Sequence, residues 1–378
     1  MTWRDLVRGE FHDLPKPHAS DHAGISHSVA RMDLNEAALE PDADEMAAFQ
    51  RELAKLQLNR YPEASGQILR ERLAQLWKVS PDEIVLGNGS VEVVGMLMTS
   101  FGAARNGVPA TVIHPEPTWG QYDVMAGSYG LRAVPVPLGE NFELDEGRVA
   151  AAIERERPAL AFYPSPNSPT GNCFPHAALQ RLARHMNAVF VVDEAYADFA
   201  GETILPRIRS TPGLFVMRSL SKIGFAGLRV GALVGPRDAI AEIDKVRMPF
   251  NVNSVSLAFA HALLADPERF HARTAAILRL RRALEAELRT IEDLEVFPSR
   301  ANFVLIRTPF PAHLVFERLL AHGVLVRSFD HAPRLAGCLR ITAGTLYENA
   351  RCVHALREVL ATLSRARHPA AAGGHANA

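Results

Sequence analysis

Arg218-Ser219-Leu220-Ser221-Lys222-Ile223-Gly224-Phe225-Ala226-Gly227-Leu228-Arg229-Val230-Gly231 is the run on which the reading of the chain turns. It follows Gly213-Leu214-Phe215-Val216-Met217, which has the uninterrupted apolar character of a buried strand. Lys222 stands alone among two hydroxyls and small residues, and a second cation, Arg229, follows seven positions on. Hydroxyls, glycine N–H groups and an arginine are what hold a phosphate dianion. A lysine kept beside that phosphate, over an apolar strand, is placed to attack a carbonyl. Together these features point to an aldehyde that carries a phosphate. Taken alone, Ser-x-Ser-Lys is short and common, and Arg229 could equally cap a helix or pair on the surface.

Upstream of this run, strands and helices alternate. Asp42 to Leu56 reads as a helix, with Asp42 as N-cap and Met46, Phe49 and Leu53 on one face. Ile68 to Trp77 is a second amphipathic helix. The strand Ile84-Val85-Leu86 then runs through the turn Gly87-Asn88-Gly89-Ser90 into a helix over Val91 to Phe101, an arrangement whose free N–H groups suit a phosphate. Thr111-Val112-Ile113, Ala159 to Tyr163 and Val189 to Val192 are further apolar strands. They run into Pro115–Tyr122, Ser165–Gly171 and Asp193–Tyr196 respectively. Uniformly apolar strands between helices imply an α/β fold, with a mostly parallel sheet covered on both faces. Ligands of such sheets bind at the carboxyl ends of the strands. Trp119, Asn167, Ser168, Asp193, Tyr196 and Lys222 all fall just past a strand's end, which argues for a single site. Pyridoxal 5′-phosphate is the commonest cofactor that joins an aldehyde to a phosphate.

The chain as a whole narrows the function classes. Its 378 residues leave room for two domains. Lys+Arg is 41 against 42 for Asp+Glu, a balance that argues against a role on nucleic acid or a membrane surface driven by bulk charge. No apolar run nears the roughly 20 residues needed to span a bilayer, and Met1 to Glu10 lacks a secretory apolar core. Cys173, Cys338 and Cys352 show no Cys-x-x-Cys spacing and read as buried, reduced thiols of a cytoplasmic protein. His12, His18, His22 and His27 fit no metal-ligand spacing, so no metal site is expected. Residues 1–40 read as an arm, irregular over 1–31, that docks on a neighbour or on the site, 41–265 as the large domain, 266–364 as a smaller α+β domain and 365–378 as a disordered tail. Pro267 to Ile291 reads as a solvated linking helix whose charges make surface pairs.

With these motifs quoted, the chain resembles the fold-type-I pyridoxal-phosphate-dependent aminotransferases, and within them the histidinol-phosphate aminotransferases. The likeness runs from about Asp33 to about Leu363, and Ser165–Gly171, Asp193–Tyr196, Ser219–Gly231 and Cys338–Thr345 carry it. It implies a three-layer α/β/α domain with a smaller C-terminal domain, and a homodimer with shared sites. It also implies that Lys222 attaches to the cofactor aldehyde, Asp193 keeps the pyridine nitrogen protonated and Tyr196 bonds the ring hydroxyl. Trp119 would stack on the ring, with Asn167 and Ser168 beside it. Gly89, Ser90, Val91, Ser219, Ser221 and Arg229 would hold the phosphate, joined by Tyr61 from a partner subunit. Arg340 and Arg327 would grip the substrate's anionic end, and Asn35 would lie near the substrate.

The chain departs from the family pattern in three places. Ser168 stands where an asparagine is usual, Val91 where an aspartate is common, and His18 near a family tyrosine. The reaction implied is transamination from histidinol phosphate to 2-oxoglutarate in histidine biosynthesis. A transaminase for aromatic or other amino acids, or a phospho-amino-acid decarboxylase, remains open on the same fold. Other classes fail on specific absences. Val189–Glu194 resembles part of a P-loop ATPase, but the chain has no Gly-Lys pair. His114-Pro115-Glu116 lacks the Pro-Cys-x-x-Cys of a zinc deaminase.

Overall fold

The computed structural model describes residues 11–12, 26, 28–104, 107–332 and 334–367. His18, His22, His27 and the tail beyond Arg367 lie outside the described residues. The strands are β1 (Ala30–Arg31), β2 (Ile84–Asn88), β3 (Thr111–Glu116), β4 (Arg132–Pro137), β5 (Leu160–Pro164), β6 (Val189–Asp193), β7 (Leu214–Ser219), β8 (Val230–Val234), β9 (Glu295–Val296), β10 (Phe303–Arg307), β11 (Val324–Leu325), β12 (Arg327–Ser328) and β13 (Cys338–Thr342).

Seven of them form one sheet in the order β2-β8-β7-β6-β5-β3-β4. Its neighbours pair in parallel, except that β8 runs antiparallel to both β2 and β7. The central strands β5, β6 and β7 are buried along their whole length. Alternate side chains serve opposite faces. Phe162, Val191 and Phe215 pack in one apolar layer, and Tyr163, Phe190, Val192 and Val216 in the other. Pro135 and Pro137 fall in β4, the edge strand, where a missing N–H leaves no ladder bond unmade.

A four-stranded antiparallel sheet, β12-β13-β10-β9, forms a second unit. Its core joins β10 and β13 to the helices Ala312–Ala321 and Leu346–Arg367 and to the end of Pro267–Leu288. The stretch expected to be irregular as far as residue 31 is strand at its end. β1 pairs in parallel with β11, and Ala30 and Met32 are buried in the smaller core. Burial of these apolar groups, at roughly 25 cal/mol per Å², holds β1 to a strand far later in the sequence.

Several local expectations need correction. The Pro267–Leu288 helix is not solvated all round. Arg273 and Arg281 are buried in it and pair with Glu45 (2.9 Å) and Glu285. Arg273 also donates to the carbonyls of Ile223 (2.7 Å) and Leu39, which fastens the turn that carries Lys222. The helix Ala43–Leu53 is capped by Asp42, with Glu45 completing a capping box. It buries no residue fully, however, and Met46 and Leu53 are exposed. Only Phe49 of that face packs inward, edge-on to Phe259. Cys173 is half-buried rather than buried, while all three thiols are free. Residues 365–367, assigned to the tail, are helical.

Candidate active site

Asp193 ends β6 with its carboxylate buried. Tyr122 Oη donates to its Oδ2 at 2.7 Å and the Ala195 N–H to its Oδ1 at 3.0 Å. Burial pushes the Asp193 carboxyl up, because the charged form loses solvent. The bonds from Tyr122 and Ala195 and the Lys222 charge pull it back. Tyr122 is wholly buried, stacked on Phe162 (5.0 Å) and edge-on to Trp119 (5.1 Å, 87°).

Three site residues converge on the segment Asp33–Asn35, Lys222 and Arg340 at its carbonyls and Tyr196 at the Asn35 side chain. Lys222 Nζ donates to the Leu34 carbonyl at 3.2 Å and lies 5.9 Å from the Tyr196 ring centroid. Asn35 Nδ2 donates to Tyr196 Oη at 2.8 Å, while Asn35 Oδ1 accepts from Thr342 Oγ1 at 3.1 Å. Asn302 Nδ2 supports the segment at the Asn35 carbonyl (3.0 Å). Arg340 donates through Nη2 to the Asp33 carbonyl and through Nη1 to Ser168 Oγ at 2.8 Å. Its guanidinium is buried between the Phe303 and Phe329 rings. Its Nε finds no hydrogen-bond partner among the described residues. Burial pushes Arg340 down to about 10, and nearby Arg327 adds to the effect against Tyr196 and Asp33. Arg327 sits directly across from Arg340 in the β12–β13 register.

A third cluster gathers at the start of the Gly89–Phe101 helix. Asn88 makes no side-chain cap there, so first-turn N–H groups stay available. Gly89 has φ +78°, and a Cβ on it would lie 2.4 Å from Arg229 Nη2, so only glycine lets the guanidinium come so close. Gly231 in β8 is equally constrained, since its Cβ would sit 2.5 Å from the Ser90 nitrogen. Ser219 and Ser221 lie together, with Oγ atoms 3.0 Å apart. Val91 exposes its side chain, which limits it to a backbone contribution. Asn167 is wholly buried and engaged in the loop, donating to Pro117 O (3.0 Å) and Thr170 Oγ1 (2.8 Å) and accepting from Thr118 Oγ1 (2.7 Å). Tyr61 is 80% exposed and stacks on Phe250 at 4.5 Å.

Residues 29–356 match the profile of the aminotransferase class I and II family. The chain belongs to that family. Among curated relatives, the histidinol-phosphate aminotransferase of Aquifex aeolicus is 39% identical over 314 residues, covering 83% of this chain and 87% of the relative. That of Methylibium petroleiphilum is 40% identical, covering 83% and 85%. A solved histidinol-phosphate aminotransferase from Sinorhizobium meliloti, in complex with pyridoxal-5′-phosphate, superposes with a TM-score of 0.83 at 24% identity, covering 94% of this chain and 99% of that one.

The donor set of this aminotransferase fits such a cofactor. A buried carboxylate suits a pyridine N–H. The Gly89 cradle brings Arg229 beside uncapped N–H groups, a set that suits a phosphate. No group of acidic, His or Cys residues able to hold a metal occurs among the described residues. Tyr122, Asn302, Thr342 and Arg273 escaped the sequence reading. Tyr122 had the most visible signal, since it lies one helical turn past Trp119 in the same quoted stretch.

Proposed function

We propose that this aminotransferase binds pyridoxal phosphate and moves the amino group of histidinol phosphate to 2-oxoglutarate, giving imidazole acetol phosphate and glutamate. The observation that carries the reading is the convergence of Lys222, Tyr196 and Arg340 on Asp33–Asn35. It sets an amine, a phenol and an anion-binding guanidinium around one small volume. The relatives' names supply the substrate.

When bound, the cofactor supplies an electron sink for the bonds at the substrate's amino carbon. The chain's residues supply the rest. Lys222 holds the cofactor at rest and afterwards takes and returns the proton at that carbon. Asp193, as a carboxylate, keeps the ring nitrogen's proton in place. Tyr196 donates to the ring oxygen, and the Asn35 amide bonded to its Oη leaves the hydroxyl proton free to point there. Arg229, Ser219, Ser221 and the Gly89–Ser90–Val91 N–H groups would hold the phosphate, and Trp119 would cover the ring. Histidinol phosphate has no carboxylate, so its phosphate takes the Arg340 and Arg327 site that the acceptor's carboxylate uses in the other half-reaction. Planar, forked guanidinium groups suit both anions.

Tyr61 is read as reaching the phosphate of a partner subunit in a homodimer. Its exposure beside Phe250, Leu58 and Met248, all exposed, supports this. No helix among the described residues is long and apolar enough to cross a membrane, and the three free thiols suit the reducing cytoplasm. The test is the half-reaction spectrum. Histidinol phosphate should convert the cofactor band at concentrations where phenylalanine does not, and the reverse order would reassign the substrate.

A further inference from the structure

We propose that Tyr122 is a positioning residue for the cofactor: its hydroxyl holds Asp193 aligned and ionised, and its ring sets the seat of Trp119. The inference rests on the reading of Asp193 as the partner of the ring nitrogen. Asp193 is buried at the end of β6, and its Oδ1 is already taken by the Ala195 N–H. A buried carboxylate in that position is stable only if its lone pairs are met. Tyr122 meets Oδ2 at 2.7 Å. It does so with a neutral donor, which favours the carboxylate without setting a rival cation beside it. An arginine in the same place would form a closed ion pair and weaken the carboxylate's hold on a pyridinium.

The ring of Tyr122 is fixed just as firmly. It stacks on Phe162 of β5 at 5.0 Å and 15°, and Trp119 meets it edge-on at 5.1 Å. The residue therefore ties the group that would bond the cofactor's edge to the group that would cover its face. Other charged or titratable neighbours are few. Lys222, Glu194 and Tyr196 act on Asp193 and Tyr122, and His114, bonded to Asp123 at 3.0 Å, lies behind the Tyr122 ring. Burial raises Asp193, and the Tyr122 bond lowers it. Without the hydroxyl, the carboxyl would hold its proton to higher pH.

The test is a double-mutant cycle with Tyr122→Phe, Asp193→Asn and the double variant. Tyr122→Phe keeps the ring stack, and circular dichroism of the apoprotein checks its fold. Three quantities are read: cofactor affinity of the apoprotein by fluorescence titration, the visible cofactor band against pH, and the apoprotein melting temperature against pH. Tyr122→Phe should weaken cofactor binding about 10-fold, the effect of roughly one hydrogen bond to a charged group. It should also displace the pH dependence of the band. Asp193 with a raised carboxyl loses stability as pH rises past its unfolded value, so the variant's loss should extend to higher pH than the wild type's. The double variant should match Asp193→Asn alone. If Asp193→Asn shifts the profiles while Tyr122→Phe leaves them native, or if the two effects add, the inference falls and the reading of Asp193 stands. If neither variant shifts them, the reading of Asp193 falls and takes the inference with it.

Discussion

The two ends of the site are built differently. At the end proposed to hold the ring, Asp193, Tyr122 and Phe162 are buried, and each Asp193 oxygen accepts one hydrogen bond, from Tyr122 or from Ala195. At the phosphate end Arg229 is exposed, the helix N-terminus is uncapped, and Tyr61, assigned to a partner's phosphate, stands 80% exposed. A carboxylate that must stay charged in a low dielectric needs its surroundings fixed in advance. A dianion is gripped well by N–H groups, hydroxyls and a guanidinium that water also reaches. One end is thus preorganised by buried groups, and the other is open to water.

The contrast can be broken by substitution. Lys222→Ala lies between the ends and should lower turnover by more than about 10⁴-fold, the upper range for a lost proton-transfer group. Borohydride reduction of the wild type, followed by peptide mapping, should place the cofactor on Lys222; a label on another lysine would remove the assignment. Asp193→Asn should lower kcat by roughly 10²- to 10³-fold, the usual scale for one preorganised electrostatic group. Stopped-flow half-reactions would read the loss, and a small effect would mean that the ring end is not special. Arg340→Gln should raise KM for both anionic substrates, lowering kcat/KM about 10- to 100-fold, with the cofactor band unchanged. Tyr61→Ala should leave the melting temperature nearly unchanged, since an exposed ring contributes little within one protomer, yet weaken cofactor binding several-fold. Hybrids of Tyr61→Ala and Lys222→Ala subunits, separated by charge tags, should regain one working site if sites are shared.

Asp330→Asn, away from both ends, should have the smallest effect. Partial burial works to raise this carboxyl, but the His313 and Gly337 N–H groups and the His313 ring hold it at about 2. Its contribution is present above the ordinary carboxylate range and is lost as pH falls through about 2. Because an ion pair near the surface gains little against water, that contribution is below about 1 kcal/mol. Melting curves at pH 7 and pH 2 should differ between variant and wild type only at the higher pH.

Much of the sheet was legible because β5, β6 and β7 are built on apolar runs that stop at polar residues. The residues at those ends followed from the strand-end rule. What escaped was pairing between distant segments. Nothing in Asp33-Leu34-Asn35 announces that its carbonyls meet Lys222 and Arg340, because backbone acceptors carry no sequence signal. Arg273 and Arg281 look like surface charges in a helix rich in Arg and Glu, and only packing shows them buried. Ser168, a departure from the family pattern, accepts from Arg340 in the structure, so its hydroxyl holds the guanidinium proposed to grip the substrate. On the helix Ala43–Leu53 the periodicity overstated burial, since Met46 and Leu53 stay more than a third exposed.

The two-residue ladder between β1 and β11 reaches beyond its length. The strip that caps the lysine rides on the smaller core while touching groups rooted in the larger one. Any rotation of one core against the other must carry those three residues off Lys222 and Tyr196 or unzip the ladder beneath them. The surroundings of the Lys222 amine are therefore geared to the angle between the cores.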